Sequence, residues 1–575
     1  MELDGNQRIV LEGRYLRRDE NGKVIESPEE MCWRVARSVA KAEAKFGAGD
    51  KEVSAWAEKF YAIMDTLDFL PNSPTLINCG RPPGQLAACF VLPVEDSIEE
   101  IFNALKYTAI IHKSGGGTGF DFSTLRPKGS LVRTTFGRAS GPVSFMRIFN
   151  AATEEIKQGG VRRGANMGIL HVDHPDIYEF ISCKEEKGSF RNFNLSVSAT
   201  DRFFAAVESG STWPLSFGGR VYREVQAREL FERIAHCAYK TGEPGMIFID
   251  AINRANPTPA LGPICATNPC GEQPLLPYES CNLGSINLSN MLKYRTVDWS
   301  RLEASVRLAV RFLDDVIDVN IFPLPQIAAA SLRTRKIGLG VMGWADLLFK
   351  LGIPYDSEAA IGLAEEIMAF IAQKAREASK ELACQRGTFP AWKDSVYYPD
   401  LPLRNATLTT IAPTGSISLI AGTTSGIEPV YALAFSRTVL ENKQLSVINR
   451  TFIQTLEKEV GPKAKERVLK AAKEKGSVQE LAELSPEIRA VFKTAPEIAP
   501  EWHLRMQAAF QKHTDNAVSK TINLPADSTV EEVAGIFKKA HQLGLKGVTV
   551  YRIGSRGDQP LSTAYSCPSC YGHES

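Results

Sequence analysis

The sequence predicts an α/β protein with a largely parallel sheet and an all-α layer at its N-terminus. From about Leu76 to about Leu440, short apolar runs alternate with helical stretches and glycine-rich turns, which is the pattern of parallel strands joined by helices. Before that region, Val35, Val39 and Ala40 recur at helical spacing behind a Pro-Glu-Glu helix start. The chain has 575 residues and exceeds the usual size of one core, so we expect a large barrel with added elements or two to three domains.

The individual elements follow from local patterns along the chain. Residues 1–70 are the predicted N-terminal helical region, with one helix from Pro28 and a second from about Glu52. In the region 71–552, four apolar runs are predicted strands: 87–92, 165–170, 193–198 and 407–412. Helices are predicted between them, for example at 99–114, 142–158 and 301–319. Charged helices form an insertion at about 441–505, and residues 553–575 are predicted to be a flexible tail.

Composition and charge exclude several classes of function. Lys and Arg number 67 against 66 Asp and Glu, so we expect no extended surface for nucleic acid. No run of about 18 apolar residues occurs, so we expect no membrane span and a soluble, cytoplasmic protein. The eleven cysteines are odd in number and scattered, unlike the disulfide framework of a secreted protein. Functional thiols are therefore expected to be catalytic or metal-binding.

The segment 267–285 holds the first candidate reaction site. Asn268, Cys270 and Glu272 occupy alternate positions, so in an extended chain their side chains would face the same way. The prolines and glycines around them exclude a helix and predict a rigid loop or a strand end. A buried cysteine in a loop is the alternative, but an amide and a carboxylate are costly to bury without partners. The pattern therefore favours a reactive face, with Cys281 as a second nearby thiol.

Three glycine-containing segments are candidate phosphate sites. Successive glycines at 113–119 let backbone N–H groups approach a ligand, although a simple tight turn would look the same. The segment 158–166 flanks two arginines with glycines and predicts a mobile loop that binds phosphate, with a solvated surface loop as the alternative. The segment 412–418 follows a predicted strand and suits phosphate binding at a helix N-terminus, although a capped helix start would also fit.

Two further segments contain metal-ligand residue types. The segment from His171 to Asp176 has no second cluster at metal spacing, so we expect a structural turn and no metal ligands. Cys567 and Cys570 form a Cys-x-x-Cys pair in the tail, which is either half of a zinc ribbon or an exposed dithiol. Only His573 lies close by, so thiol exchange is favoured, although two tails could share a zinc ion.

Together these features predict a redox enzyme that acts on a phosphorylated substrate. From about Pro71 to Arg556 the chain resembles the catalytic subunit of a ribonucleotide reductase, in particular the adenosylcobalamin-dependent (class II) group. The resemblance rests on eight motifs in the same order: Asn72-Ser-Pro-Thr75, Gln85-Leu-Ala-Ala-Cys-Phe90, Ser114-Gly-Gly-Gly-Thr-Gly119, Arg162-Arg-Gly-Ala-Asn166, Asn268-Pro-Cys-Gly-Glu272, Ser280-Cys-Asn-Leu-Gly-Ser-Ile-Asn-Leu288, Pro413-Thr-Gly-Ser-Ile417 and Lys512-His-Thr-Asp-Asn-Ala-Val-Ser-Lys520.

The resemblance implies a role for each residue of a catalytic set. Cys270 would become a transient thiyl radical and remove hydrogen from the 3′ carbon of the ribose. Glu272 would accept the 3′-hydroxyl proton as general base, and Asn268 would orient the substrate hydroxyls. Cys89 and Cys281 would donate two electrons and close a disulfide as the 2′-hydroxyl leaves as water.

The resemblance also implies the binding sites and the fold. The expected fold is a ten-stranded α/β barrel of two five-stranded parallel halves set antiparallel, with the radical cysteine on a central loop. A dimer interface would hold an allosteric deoxynucleotide site at Asp96, Arg126 and Arg133, and the 158–166 loop would relay effector identity. The expected substrate-binding residues are Ser73, Ala88, Cys89, Gly117, Asn268, Pro269, Cys270, Gly271, Glu272, Pro413, Thr414, Gly415, Ser416 and Ile417, the last five around phosphate.

The radical source implied by the resemblance is adenosylcobalamin. Class I relatives import the radical from a separate metal-containing subunit through two adjacent tyrosines, but the segment 547–552 contains one tyrosine, Tyr551, followed by an arginine. A class I large subunit remains the alternative. Cys567 and Cys570 would re-reduce the active-site disulfide and exchange with a thioredoxin-like partner. Ribonucleoside diphosphates are the expected substrates, and the 70 residues before the core predict no overall inhibition by dATP.

Overall fold

The computed structural model describes residues 3–132, 136–158, 162–186, 188–439, 443–555 and 561–562. Its elements alternate between strands and helices after an N-terminal helical region, as predicted. The α-helices are Gly5–Arg14, Pro28–Ala40, Asp50–Asp65, Ser73–Asn78, Ile98–Lys113, Pro142–Glu155, Ile177–Ser182, Asp201–Ser209, Ala227–Thr241, Ile249–Arg254, Trp299–Val319, Pro325–Thr334, Trp344–Leu351, Glu358–Arg386, Ile417–Ala421, Arg450–Glu459, Pro462–Lys475, Pro486–Val491, Pro500–Gln511 and Val530–Gln542.

The centre of the protein is a barrel of ten strands in two parallel halves. The first half consists of Cys89–Val91, Gly117–Asp121, Asn166–His171, Phe193–Ala199 and Gly245–Phe248. The second half consists of Ser280–Asn287, Ile337–Met342, the segment 407–411, Thr521–Leu524 and Gly547–Arg552.

The two halves meet in antiparallel pairs on both sides, which closes the barrel. Ser280–Asn287 runs antiparallel to Cys89–Val91, and Gly547–Arg552 runs antiparallel to Gly245–Phe248. Within the second half, the segment 407–411 joins its neighbours through the parallel bridges from Leu339 to Thr409 and from Ile411 to Val518. The architecture expected from the sequence is confirmed.

The remaining short strands lie at the edges of the barrel or in loops. Phe69–Pro71 extends the sheet beside Ser280–Asn287. The others pair locally: Lys157–Gln158 with Arg162–Arg163, Thr212–Phe217 with Arg220–Gln226, Ala266–Thr267 with Pro274–Leu275, Leu292–Lys293 with Thr296–Val297, and Ala434–Val439 with Lys443–Ile448 and Leu561–Ser562.

The N-terminal helices pack against the second half of the barrel. Their apolar faces share one core with the long helix Trp299–Val319, where the rings of Phe60 and Phe312 meet edge to face at 5.2 Å. Helix Pro28–Ala40 begins at a capping box in which Ser27 and Glu30 satisfy each other's backbone N–H groups. The helical layer therefore supports the barrel wall that carries Cys281.

Two of the predicted elements differ from the structure: the predicted strand 407–412 makes only isolated bridges at Thr409 and Ile411, and the predicted helix 142–158 ends early. Helix Pro142–Glu155 is three residues shorter than predicted, because Lys157 and Gln158 pair with a neighbouring short strand. The segment from Arg450 to Phe492 is largely helical and packs around a small apolar core that it shares with Phe349 and Leu433. The proposed domain limits at residues 70 and 552 stay predictions. Among the residues that the model describes, no helix is both long and apolar enough to cross a membrane.

Candidate active site

A short β-hairpin inside the barrel carries the central cysteine. Ala266–Thr267 pairs antiparallel with Pro274–Leu275, and residues 268–273 form the tip between them. The hairpin lies against the glycine-containing strand Gly117–Asp121. A Cβ atom on Gly119 would lie 1.7 Å from the Thr267 carbonyl oxygen, so a side chain at this position is excluded unless the hairpin moves. The glycines of the 113–119 segment therefore leave space for the hairpin to pack against this strand. The sequence alone did not predict this role.

The tip is a turn, which confirms the expected loop, whereas the extended arrangement that would set the three side chains on one face is not present. The Gly271 N–H donates to the Asn268 carbonyl oxygen at 3.0 Å, and Gly271 has a φ of 80°, in the left-handed region that favours glycine. The turn places Asn268 and Glu272 at its buried base and exposes Cys270 at its apex. The three residues still form one site, but through turn geometry and not through strand alternation.

Cys89 and Cys281 lie directly opposite each other across the antiparallel pair that joins the two halves of the barrel. The Ala88 N–H donates to the Cys281 carbonyl oxygen at 3.2 Å, which fixes this register. Opposed residues in an antiparallel pair have Cα atoms about 4.5–5.5 Å apart, within the range of about 4.4–6.8 Å that a disulfide spans. Both thiols are reduced and buried. The fold thus brings together two cysteines that are far apart in sequence, as the resemblance implied.

The base of the hairpin tip contacts this cysteine pair through polar atoms. The Asn268 Nδ2 group donates to Cys89 Sγ at 3.1 Å, and Cys89 Sγ lies 3.8 Å from Glu272 Oε1. The other Asn268 amide atom, Oδ1, accepts from the Gln273 backbone N–H at 3.0 Å, which fixes the orientation of the amide. Glu272 Oε2 is buried and has no hydrogen-bond partner among the described atoms. This oxygen is therefore available to accept a proton from a bound ligand.

Burial dominates the acid–base properties of the site. It raises the pKa of Glu272 to about 7, against weaker lowering by the Asn268 amide and the Cys89 thiol. Burial also raises the pKa of Cys89 well above its ordinary value, and the carboxylate of Glu272 adds to this effect. The pKa of Cys281 is raised by burial too, although the charge of Lys336 opposes the shift. At neutral pH the cysteines are thiols, and Glu272 exchanges protons readily.

Two side chains that the sequence did not single out hold the hairpin in place. Asn194 donates from Nδ2 to the Pro269 carbonyl oxygen at 2.8 Å, directly beside Cys270. Thr410 donates from Oγ1 to the Glu272 carbonyl oxygen at 2.9 Å, and the Ala517 N–H donates to the same oxygen at 3.0 Å. Nothing in the local sequence signals these contacts, since they join distant parts of the barrel.

The predicted phosphate segment 413–417 connects the barrel segment 407–411 to helix Ile417–Ala421. Thr414 adopts a φ of 52°, and its Oγ1 accepts from the Gly426 N–H at 2.7 Å, which folds the segment against the following loop. Ser73 begins helix Ser73–Asn78, and its Oγ lies 2.8 Å from the Tyr15 hydroxyl. The helix N-terminus after residue 416 agrees with the predicted strand-to-helix junction.

A cavity of about 1040 Å³ extends from the helix Ile417–Ala421. Its wall includes the N-terminal helix, the loop 421–425 and the ends of the last two barrel strands, whereas the hairpin tip is not part of the described lining. Asp346 links the loop 421–425 to Asn449: it accepts from Thr423 Oγ1 at 2.8 Å and from Asn449 Nδ2 at 2.7 Å. The hydroxyl and amide side chains of the lining include Ser289, Asn290, Thr423, Asn449, Asn523 and Tyr551.

The remaining predicted residues lie away from the hairpin or outside the described ranges. Arg126 and Asp96 form an ion pair, with Nε and Oδ2 2.7 Å apart and both side chains partly exposed. Arg133, Cys567 and Cys570 lie outside the described residues. In the 171–176 turn, His174 Nε2 lies 3.0 Å from the Leu125 carbonyl oxygen and the Asp176 N–H donates to its Nδ1, which are structural contacts of a turn.

Comparisons with known proteins show to which family the chain is similar. Family models for the all-alpha domain and the barrel domain of ribonucleotide reductase match residues 1–84 and residues 87–401 and 399–551, respectively. A vitamin B12-dependent ribonucleoside-diphosphate reductase of Mycobacterium tuberculosis is 51% identical over 97% of this chain and 80% of its own length. A protein of the same name from Thermoplasma acidophilum is 46% identical over 98% of this chain and 80% of its own length.

A solved structure shows the same likeness. The class Id ribonucleotide reductase alpha subunit of Actinobacillus ureae superimposes with a TM-score of 0.78 at 26% identity, covering 96% of this chain and 97% of that chain. The motif-based resemblance is confirmed by these matches over nearly the whole chain. The protein belongs to the ribonucleotide reductase family.

Proposed function

We propose that this protein is an adenosylcobalamin-dependent ribonucleoside-diphosphate reductase. The observation that carries the proposal is the cluster at the hairpin tip: an exposed cysteine on a turn whose base holds a buried carboxyl group and contacts Cys89 of an opposed cysteine pair. The names of the two relatives described above support both the vitamin B12 dependence and the diphosphate substrate.

In the proposed reaction, Cys270 transfers one hydrogen atom and Glu272 transfers one proton. Cys270, as a thiyl radical, takes the 3′ hydrogen of the ribose, and Glu272 accepts the proton of the 3′-hydroxyl. The 2′-hydroxyl leaves as water with a proton from the pair Cys89 and Cys281. As the pair forms its disulfide, it supplies two electrons and its second hydrogen, which goes to the 2′ carbon. Glu272 returns its proton to the 3′ oxygen, and Cys270 returns its hydrogen atom to the 3′ carbon. The pKa of Glu272, about 7, suits a base that must also release its proton in each turnover.

The substrate would lie between the hairpin tip and the surrounding barrel ends. Asn268 orients the hydroxyl groups of the ribose through its amide, which Gln273 holds in one orientation. Ser73, Ala88 and Gly117 border the ribose in this proposal, and the 413–417 segment binds the diphosphate through backbone N–H groups and hydroxyls. The residues 269–271 complete the proposed contacts.

The cavity of about 1040 Å³ fits the proposed cofactor. Its volume slightly exceeds the range of about 300–1,000 Å³ that is usual for small-molecule sites, which leaves room for a large macrocycle. Its hydroxyl and amide side chains match the amide-bearing rim of a corrin ring, and the described lining contains no histidine that could bind the cobalt. Asn523 and Tyr551 would hold the group. When bound, adenosylcobalamin supplies the radical that starts turnover.

The class I alternative requires a second tyrosine beside Tyr551. The side chain at the next position, Arg552, instead lies over the ring of Tyr239, with the guanidinium carbon 4.2 Å from the ring centroid. It also donates to the Ala526 carbonyl oxygen at 3.0 Å. This position therefore has a packing role, which favours the cofactor over a radical-supplying subunit.

The proposal includes the partners expected of such an enzyme. Deoxynucleoside triphosphate effectors would bind near Asp96, Arg126 and Arg133 at the interface of a homodimer, and the 158–166 loop would carry the signal. A thioredoxin-like reductant would act through Cys567 and Cys570, which places the protein in a reducing compartment such as the cytoplasm. No nucleic acid, membrane or resident metal ligand set is part of the proposal.

Product formation with and without the cofactor tests this function. The purified chain is incubated with ribonucleoside diphosphates or triphosphates and dithiothreitol, and deoxynucleotide is measured by chromatography. We expect product only with adenosylcobalamin and faster turnover of diphosphates. Product that forms only after addition of a di-metal radical subunit would show the class I alternative. As a further test, Asn523→Ala should weaken adenosylcobalamin binding, measured by absorbance titration, without changing the melting temperature of the apoprotein by more than about 1 °C, because its side chain makes one long hydrogen bond, 3.4 Å to the Thr521 carbonyl oxygen.

A further inference from the structure

The short helix Ser73–Asn78 is held at both ends by side chains of the N-terminal helical region. At its start, the Tyr15 hydroxyl lies 2.8 Å from Ser73 Oγ. Near its end, Arg34 donates from Nη2 to the Leu76 carbonyl oxygen at 3.1 Å. A helix of six residues is not stable on its own, so such contacts fix its place.

The chain just before this helix is bound to the barrel wall that carries Cys281. The Asn72 N–H donates to the Leu283 carbonyl oxygen at 2.8 Å. Leu283 lies two positions after Cys281 in the strand Ser280–Asn287. This bond fixes the half-buried Ser73, the next residue, at the edge of that strand.

Asn72 also offers an unused donor beside Ser73. Its side chain is 7% exposed, and its Oδ1 accepts from the Thr75 N–H at 2.9 Å, which fixes the orientation of the amide. Its Nδ2 is buried and has no hydrogen-bond partner among the residues that the model describes. Buried donors are normally paired, so the unused donor supports the binding of a ligand at this segment.

The Tyr15 side chain is itself rigidly placed. It is 1% exposed and belongs to the core that the N-terminal helices share with the barrel. At the other end of the preceding helix, Gly5–Arg14, Gln7 Nε2 donates to the Ile420 carbonyl oxygen at 2.7 Å. Ile420 lies in the helix that follows the 413–417 segment. The N-terminal helix and Tyr15 therefore contact both of the chain segments that flank the proposed nucleotide site.

The hydrogen bond between the two hydroxyls restricts the Ser73 side chain. A free serine side chain populates three staggered rotamers, and its hydroxyl has one hydrogen and two lone pairs. If Tyr15 donates, Ser73 keeps its own hydrogen for a ligand, and if Ser73 donates, it presents a lone pair. In either case the side chain is oriented before the ligand binds, which lowers the entropic cost of binding.

We propose that Tyr15 is a positioning residue whose hydroxyl holds Ser73 Oγ in the orientation that binds the nucleotide substrate. The proposal rests on the proposed function, because that function includes the contact of Ser73 with the nucleotide. It gives the N-terminal helical region a part in substrate binding in addition to its support of the barrel wall.

A double-mutant cycle on nucleotide affinity tests this role. Binding of cytidine diphosphate to the full chain is measured by equilibrium dialysis for the natural chain, Tyr15→Phe, Ser73→Ala and the double variant. We expect Tyr15→Phe to bind about threefold more weakly, because three rotamers replace one. Ser73→Ala should bind about fivefold more weakly. The double variant should bind no more weakly than Ser73→Ala, because Tyr15 acts through Ser73.

Three results would overturn the positioning role. They are unchanged affinity in Tyr15→Phe, unchanged affinity in Ser73→Ala, and a loss of about 15-fold in the double variant, which would show independent effects. Deoxynucleotide formation by the natural chain tests the proposed function separately. A chain that forms product but whose Ser73→Ala variant binds normally would keep that function and lose the role of Tyr15.

Tyr397→Phe is the matched control for loss of a tyrosine hydroxyl. The Tyr397 hydroxyl donates to the Ala406 carbonyl oxygen at 3.2 Å, and neither residue belongs to the proposed nucleotide contacts. We expect both tyrosine variants to show the same small decrease in melting temperature, by about 2 °C or less, and only Tyr15→Phe to bind the nucleotide more weakly. Equal weakening in Tyr397→Phe would show a general loss of rigidity and would refute a specific role of Tyr15.

Discussion

The raised pKa of Glu272 makes a quantitative prediction about stability. Burial moves the pKa of this carboxyl from 4.5 to about 7, so the folded protein retains a proton that the unfolded chain releases between these values. The stabilisation is fully present below about pH 4.5 and is lost as pH rises through 7. A shift of this size corresponds to about 3 kcal/mol, because one pKa unit equals about 1.4 kcal/mol. The residue therefore destabilises the fold at the pH at which it acts as a base.

Glu272→Gln should remove this effect because the amide cannot ionise. The stability of the variant relative to the natural chain should rise by about 2–3 kcal/mol between pH 5 and pH 8. For a chain of 575 residues the entropy of unfolding is about 1.2 kcal/mol per kelvin, so the melting temperature of the variant should gain about 2 °C over this range. Activity should be lost, and in the natural chain kcat/KM should rise with pH through about 7.

Differential scanning calorimetry at several pH values measures this difference. Glu480→Gln is the control, because that carboxyl is exposed and the ammonium of Lys475 holds its pKa below the ordinary value. The melting difference of the control should not grow with pH. A constant difference for Glu272→Gln, or a variant that is less stable than the natural chain at pH 8, would refute the argument that burial leaves this carboxyl partly protonated.

Two further predictions concern the contacts that hold the hairpin in place. Gly119→Ala would place a methyl group 1.7 Å from the Thr267 carbonyl oxygen, and we expect activity to fall at least about 100-fold because the tip is displaced. Gly535→Ala is the control, because its methyl group would meet no neighbour. It should retain activity and stabilise its helix by about 0.5–1 kcal/mol. Asn194→Ala removes the hydrogen bond to the Pro269 carbonyl oxygen and should lower kcat about fivefold with little change in KM, and an unchanged kcat would show that this bond does not position the tip.

The sequence predicted the type and order of the main elements because their apolar periodicity is strong. The runs at 166–171 and 193–199 are buried barrel strands, as their composition indicated. Barrel closure could not be derived from local pattern, since the bridge from Ile411 to Val518 joins residues about a hundred positions apart. The resemblance supplied the architecture, and the pairing of the strands bears it out.

The site was predictable in its residues but not in its geometry. The chemical types of Asn268, Cys270 and Glu272 marked them as a candidate site. Their alternation suggested an extended strand, but the structure arranges them around a tight turn at Gly271. The contacts of Asn194, Thr410 and Tyr15 join residues that are distant in sequence, so no local motif predicts them. Their roles follow only from the folded chain.

The role of Cys270 as the radical carrier is the central claim, and deoxynucleotide formation by a cysteine variant tests it most directly. Cys270→Ala is compared with Cys265→Ala, which changes a partly exposed cysteine just before the hairpin. Both are assayed with adenosylcobalamin, dithiothreitol and ribonucleoside diphosphate, and their binding of adenosylcobalamin is measured in parallel. We expect that Cys270→Ala binds the cofactor but forms no product, while Cys265→Ala stays active. Product from Cys270→Ala at a rate comparable to that of the natural chain would contradict it.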